Sequence, residues 1–142
     1  MTTTKTFNMQ FIRYINLFGR IAKVTAKHCF MYNNMIIFVV PRYAVERAIG
    51  KDNTNLKKIS SIIGKKIRVI AEPRGRRDIG DFISVLISPI KYYSIEVKDE
   101  EAIITAGEKE SKAMLIGRER VREKEMKEIL EQYFGIKNVR IV

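Results

Sequence analysis

Histidine and cysteine are almost missing from this chain: His28 and Cys29, side by side, are the only ones among 142 residues. A lone cysteine excludes an internal disulfide and suits a reducing compartment. A lone histidine with no CxxC pair excludes the usual zinc-ligand sets. The two are predicted to lie on a strand, where neighbouring side chains point to opposite faces, so they do not read as a catalytic pair. No apolar run approaches the roughly 20 residues of a membrane helix, and "MTTTKTFNMQ" lacks the apolar stretch of a signal peptide. A soluble, cytoplasmic protein without a membrane partner is expected. Walker loops, nucleophile elbows and metalloprotease helices are absent too, so no enzymatic activity, cofactor or small-molecule substrate is implied.

Acidic residues are scarce relative to basic ones. Lys and Arg number 27 against 16 Asp and Glu, a formal charge of +11 with 46% apolar residues, enough for a core. The excess is local: residues 1–78 hold 16 basic and 4 acidic side chains (+12), and residues 79–142 hold 11 and 12 (−1). An anionic partner is expected for the first half, nucleic acid before membrane. The carboxylates Glu108, Glu110, Glu123, Glu125, Glu128 and Glu131 are interspersed with lysines, the pattern of a solvated helix surface.

What is present reads as one pattern used twice. "FIRYINLFGRIA" (11–22) has apolar groups at helical spacing, with residues 1–10 before it expected as a flexible tail. "VTAKHCFMY" and "MIIFVV" flank Asn33-Asn34, a hairpin signature. A helix is predicted from Pro41 to about Ile49, a second from Thr54 with Leu56, Ile59, Ile62 and Ile63 facing inward and Gly64 as its C-terminal cap, then the strand "KKIRVI". "PRGRRD" (73–78) has the composition of an exposed basic linker. Beyond it the order recurs: helix 79–88, strands "KYYSIEV" and "AIITA", a helix to Ile116, a long helix to Phe134 capped by Gly135, and the strand "NVRIV". Residues match as well as elements. "AIGK" (48–51) aligns with "LIGR" (115–118), Ile59 with Met126, Ile63 with Leu130, and "IRVI" (67–70) with "VRIV" (139–142).

Between the paired helices stands "GKDN" in the first half and "GRER" in the second. A glycine there lets backbone approach a ligand, the next helix offers unpaired N–H groups and a positive dipole end, and Lys51 adds a charge, a combination that suits phosphate. An ordinary helix connection is the plainer alternative.

An isoleucine-glycine pair ending one helix, a basic loop, a second helix and a strand, preceded by α–β–β, resembles a type II KH domain, whose GXXG loop clamps about four nucleotides of single-stranded RNA or DNA. Two in tandem, from about Phe11 to Val142, are similar to the archaeal NusA-like transcription termination and antitermination factors. The resemblance implies an α+β fold of two modules, 11–72 and 79–142, each a small three-stranded sheet packed on helices. It implies binding of nascent single-stranded RNA in elongation, termination or antitermination, with RNA polymerase a further candidate partner. Bacterial relatives carry a polymerase-binding domain and an S1 domain, for which 142 residues are expected to leave no room.

Carried over residue by residue, the RNA contacts fall on Ile49, Gly50, Lys51, Asp52, Asn53 and Leu56, with Gly117, Arg118 and Arg120 in the second copy. Lys57, Lys58, Lys65 and Lys66 are candidates for a basic rim, and Arg74, Arg76 and Arg77 for a linker lying along RNA; solvated surface is the alternative for both groups. The family's second loop glycine is replaced by Asn53 and by Arg120. Asn tolerates left-handed backbone and Arg does so less readily. With Glu119 beside Arg120, the first loop is expected to grip RNA better. Two other readings remain open: an RNA-binding component of a ribosomal or processing particle, and a protein-interaction scaffold on a KH fold that has lost its clamp.

Overall fold

The structure, a computed structural model, describes residues 2–142, with side chains described from Met9 onward. It is α+β and divides into two compact units, one ending at Glu72 and the other spanning Pro73–Val142.

The first unit runs α1 (Thr2–Ala22), β1 (His28–Tyr32), β2 (Met35–Val40), a 3-10 turn Arg42–Ala44, α2 (Val45–Ile49), α3 (Thr54–Ile63) and β3 (Ile67–Ala71). Residues 2–10, expected in a tail, are part of α1; Met1 lies outside the described residues. With no proline or glycine before Gly19, a helix nucleated at the apolar stretch can extend backward at little expense per residue.

Asn33 and Asn34 both take positive φ, 51° and 60°. A tight two-residue hairpin turn requires this, and it sets β1 antiparallel to β2, with Tyr32 opposite Met35. Strand β3 then adds parallel to β2, Ile36 facing Ile67, so β3 is an edge strand. Alternate residues Ile36, Phe38 and Val40 join Phe18, Ala44, Ala48, Ile59 and Val69 in a core on which Ile49, Leu56 and Ile63 also pack. The Phe18 and Phe38 rings stack at 4.4 Å. Ile62 departs from the expected core and is 58% exposed.

The second unit repeats the sequence of elements: α4 (Ile79–Ile87), β4 (Ser94–Lys98), β5 (Glu101–Thr105), α5 (Lys109–Ile116), α6 (Val121–Phe134) and β6 (Asn138–Ile141). Its sheet has the same plan, β4 antiparallel and β6 parallel to the central β5. Phe82 packs edge-on against Phe134 at 5.3 Å, within a core that includes Ile83, Leu86, Ile104, Leu115, Met126 and Leu130. Gly64 and Gly135 end α3 and α6 in left-handed geometry, φ 83° and 67°.

Residues 73–78 are part of the second unit's structure, with Arg76–Asp78 forming a 3-10 turn. The Asp78 carboxylate is buried and accepts from the Arg74 backbone N–H at 2.8 Å and from Arg74 Nε and Nη2 at 2.9 and 3.0 Å. Arg76 Nε donates to the carbonyl of Phe134 at 3.1 Å and its Nη1 to that of Asp99. Composition alone read this stretch as loose because it does not show that a buried carboxylate ties it down.

Candidate nucleic-acid interface

The loop between α2 and α3 begins at Gly50, φ 81° and ψ 165°. Only glycine occupies that region readily. Asp52 and Asn53 follow with φ 54° and 59°, two successive left-handed residues, and α3 starts at Thr54. The Gly50 N–H donates to the Glu46 carbonyl at 3.0 Å and the Asn53 N–H to the Gly50 carbonyl at 3.2 Å. The Thr54 hydroxyl donates to the Lys51 carbonyl, and Asn55 Nδ2 reaches back to the carbonyls of Arg47 and Ala48, both at 3.2 Å. These bonds occupy carbonyl acceptors and the N–H donors of Gly50 and Asn53. The Thr54 N–H also donates to the Lys51 carbonyl, and no side chain caps the N-terminus of α3, so the N–H groups that follow Thr54 remain for a ligand at the helix's positive dipole end.

Beside this helix end lies an open groove of about 460 Å³, bordered by Met35, Asn53, Leu56, Lys57, Ser60, Ser61, Lys66, Ile67 and Arg68. It follows from the sheet order: α3 lies on one side and edge strand β3 on the other, and Ser60 Oγ donates to the Lys65 carbonyl at 2.7 Å. Burial lowers the Arg68 pKa below its usual range, with Tyr32 acting against the shift, and an arginine stays charged regardless. The groove therefore combines apolar floor residues, hydroxyls and three cations, which suits unstacked bases with phosphates at the rim.

Of the residues expected to contact RNA, Asn53, Leu56, Lys57 and Lys66 border this groove, and Lys51 and Asp52 are exposed on the adjoining loop. Ile49 is half-buried on the core, Lys58 is exposed on α3, and Lys65 Nζ donates to Asn34 Oδ1 at 2.9 Å at the hairpin turn. Met35, Ile67 and Arg68 were not anticipated, because they reach the groove through the parallel pairing of β2 and β3, and Ser60 and Ser61 of α3 were not because nothing in the helical pattern marks them as facing that strand. Arg74 and Arg76 are held within the second unit as described, while Arg77 is exposed.

The loop between α5 and α6 has nearly the same backbone. Gly117 has φ 76° and ψ 169°, Glu119 φ 55°, and Arg120 φ 63°, so arginine adopts the left-handed geometry that Asn53 holds in the first loop. Glu119 does not set the loops apart either, since Asp52 occupies the same place. The difference lies one turn into the helix. Leu56, apolar at the first groove, corresponds to Glu123 in the second unit, whose carboxylate pairs with Arg120 Nη1 at 3.0 Å. Gly117, Arg118 and Arg120 thus stand at a loop of the right shape whose entrance carries a carboxylate and a neutralised arginine.

Among the described residues no helix is long and apolar enough to cross a membrane, and no group of three or more His, Cys, Asp or Glu side chains is placed to hold a metal.

No family model and no curated protein matches the chain. Among solved structures, the crystal structure of APE1850 is similar, with a TM-score of 0.67 and 28% identity over 94% of this chain and 99% of that one. The likeness extends over both units and supports the α+β architecture.

Proposed function

We propose that the chain is a cytoplasmic, non-enzymatic binder of single-stranded RNA, acting on nascent transcripts in elongation, termination or antitermination as its resemblance to NusA-like tandem KH proteins implies. One observation carries the binding reading. In the first unit a loop opened by Gly50 in glycine-only backbone and carrying Lys51 adjoins a groove lined by apolar side chains, serines and cations. Loop and helix-end amides with Lys51 hold phosphates there, and the groove between α3 and β3 receives bases. Residues 1–72, the first unit, hold 13 basic and 3 acidic side chains (+10) against 14 and 13 (+1) in residues 73–142, which supports assigning the grip to this unit.

A second role is favoured for the other unit. Met114 and Val121, 51% and 40% exposed, flank the loop that carries Glu119, next to Glu123. An apolar surface set among paired charges suits a protein partner better than a phosphate backbone.

The test is a titration of fluorescent single-stranded RNA of about twelve nucleotides across a salt series. Log K is expected to fall with log salt at a slope of about −2 to −4, three to six phosphates at roughly −0.7 each. Lys51→Asp with Lys57→Ala is expected to remove most of the affinity. Wild-type protein that fails to bind, or a double variant that binds as well, overturns the reading.

A further inference from the structure

Tyr43 is 88% exposed, the most exposed of the large apolar side chains described. It sits in the 3-10 turn Arg42–Ala44 leading into α2, and Arg47 follows it by four residues, on the same face. The positions one residue later in each turn, Ala44 and Ala48, are buried at 4% and 0%. The stripe of Tyr43 and Arg47 thus runs beside the buried seam and leads to Gly50 and Lys51. Asn55, bonded to the carbonyls of Arg47 and Ala48, holds that turn against the start of α3. Among the described residues the Tyr43 ring stacks on no other ring and the Arg47 guanidinium is in no ion pair.

A single exposed tyrosine is ordinary on a protein surface. The second unit shows that packing does not require this one. Counting back from the loop glycine, Tyr43, Ala44, Arg47 and Ala48 correspond to Glu110, Ser111, Met114 and Leu115, with the same pattern of exposed and buried positions. The fold accepts a carboxylate and a methionine where the first unit has a ring and a guanidinium. Arg42, Arg47 and Lys51 against Glu46 and Asp52 leave residues 42–52 net positive by one charge.

We infer that Tyr43 and Arg47 extend the RNA path beyond the loop: the Tyr43 ring stacks a base outside the four nucleotides gripped at the loop, and Arg47 contacts the adjoining phosphate. The inference rests on the RNA reading above. Tyr43 lies roughly 10 Å along the helix from the loop, about two helical turns, far enough to engage a further nucleotide. Every base offers a π-face, so this step adds affinity without sequence choice, and Arg47 adds a charge-assisted contact.

The experiment compares RNAs of four and about twelve nucleotides, the shorter by competition, with circular dichroism melts as a fold control. Tyr43→Ala is expected to weaken binding of the longer RNA about 5- to 100-fold, as lost base stacking does, and to leave the four-nucleotide RNA within about twofold. Tyr43→Phe keeps the ring and retains affinity for both. Arg47→Ala should flatten the salt slope by about 0.7, one phosphate. If Tyr43→Ala binds the longer RNA like wild type while Lys51→Asp abolishes binding, the inference fails and the loop reading stands. Equal loss for both RNAs also overturns it, because Tyr43 then acts through the loop. Wild-type protein that binds neither RNA removes the RNA reading and this step together.

Discussion

Gly50 faces Asn55 so closely that a Cβ on the glycine would lie 2.9 Å from both Cγ and Nδ2 of the asparagine side chain. That side chain is the one whose amide holds the last turn of α2. Gly117 stands in the same relation to Arg122, whose Cγ would be 2.7 Å away. Each loop therefore needs its glycine twice over, for φ and for space.

Gly50→Ala is accordingly expected to destabilise the first unit by about 1–3 kcal/mol from backbone strain, with a further loss where Asn55 is displaced. Asn55→Ala alone should cost about 1 kcal/mol through its lost hydrogen bonds. Urea unfolding of both single variants and the double separates the two effects. If the clash dominates, the double variant is less destabilised than the sum; if φ dominates, the effects add.

Asp52 places a carboxylate at the apex of the loop proposed to hold phosphate, with φ 54°. Asn keeps the left-handed geometry and removes the charge. Asp52→Asn is expected to raise RNA affinity several-fold at low salt, less at high salt, because screening already mutes the repulsion. Glu119→Asn should leave affinity unchanged if the grip belongs to the first unit, as proposed. A titration in which Glu119→Asn gains as much as Asp52→Asn would show both loops at work.

Arg74 was a candidate RNA contact from sequence, and the structure also gives it a structural task. Its hydrogen bond and ion pair with Asp78 push its pKa up, and they close the turn that begins the second unit. Arg74→Ala is expected to lower stability in a thermal melt while RNA affinity stays within about twofold. Asp78→Asn should cost about 1–3 kcal/mol, because a buried acceptor of charged donors is replaced by a weaker one. A selective loss of RNA affinity in Arg74→Ala, with an unchanged melt, would return this residue to the binding surface.

The duplication was legible because buried positions are forced to repeat. Ile59 and Met126 are both fully buried, and the glycines that open each loop recur with them. The hairpin was legible because few residues besides glycine accept two successive positive φ values, and Asn33-Asn34 are among them. Ile62 was not, since an apolar residue beside a helix's inward stripe is buried only if a neighbour covers it. Its counterpart Ile129 is 5% exposed, and Ile62 itself 58%. The role of Glu123 was hidden differently: the alignment of Ile59 with Met126 already sets it at the place of Leu56, but in sequence it is one of many alternating charges, and only the geometry pairs it with Arg120.

Cys29 lies on β1 opposite Phe38 and packs against the core, and burial pushes its thiol up to about 12 from the ordinary 9.0. The folded state therefore holds the proton more tightly than the unfolded one. Its contribution is fully present below pH 9 and is lost as pH rises from 9 toward 12, at up to about 1.4 kcal/mol per unit. Lysines and tyrosines titrate in the same window, so Cys29→Ala is the reference: wild type should lose stability more steeply than the variant between pH 9 and 10, by on the order of 1 kcal/mol in urea unfolding. The thiolate is the reactive form, so alkylation by iodoacetamide at pH 8 should be slow in the folded protein and fast in urea. Folded protein that alkylates at the unfolded rate, with parallel pH slopes for wild type and variant, would place the thiol in contact with solvent instead of the core.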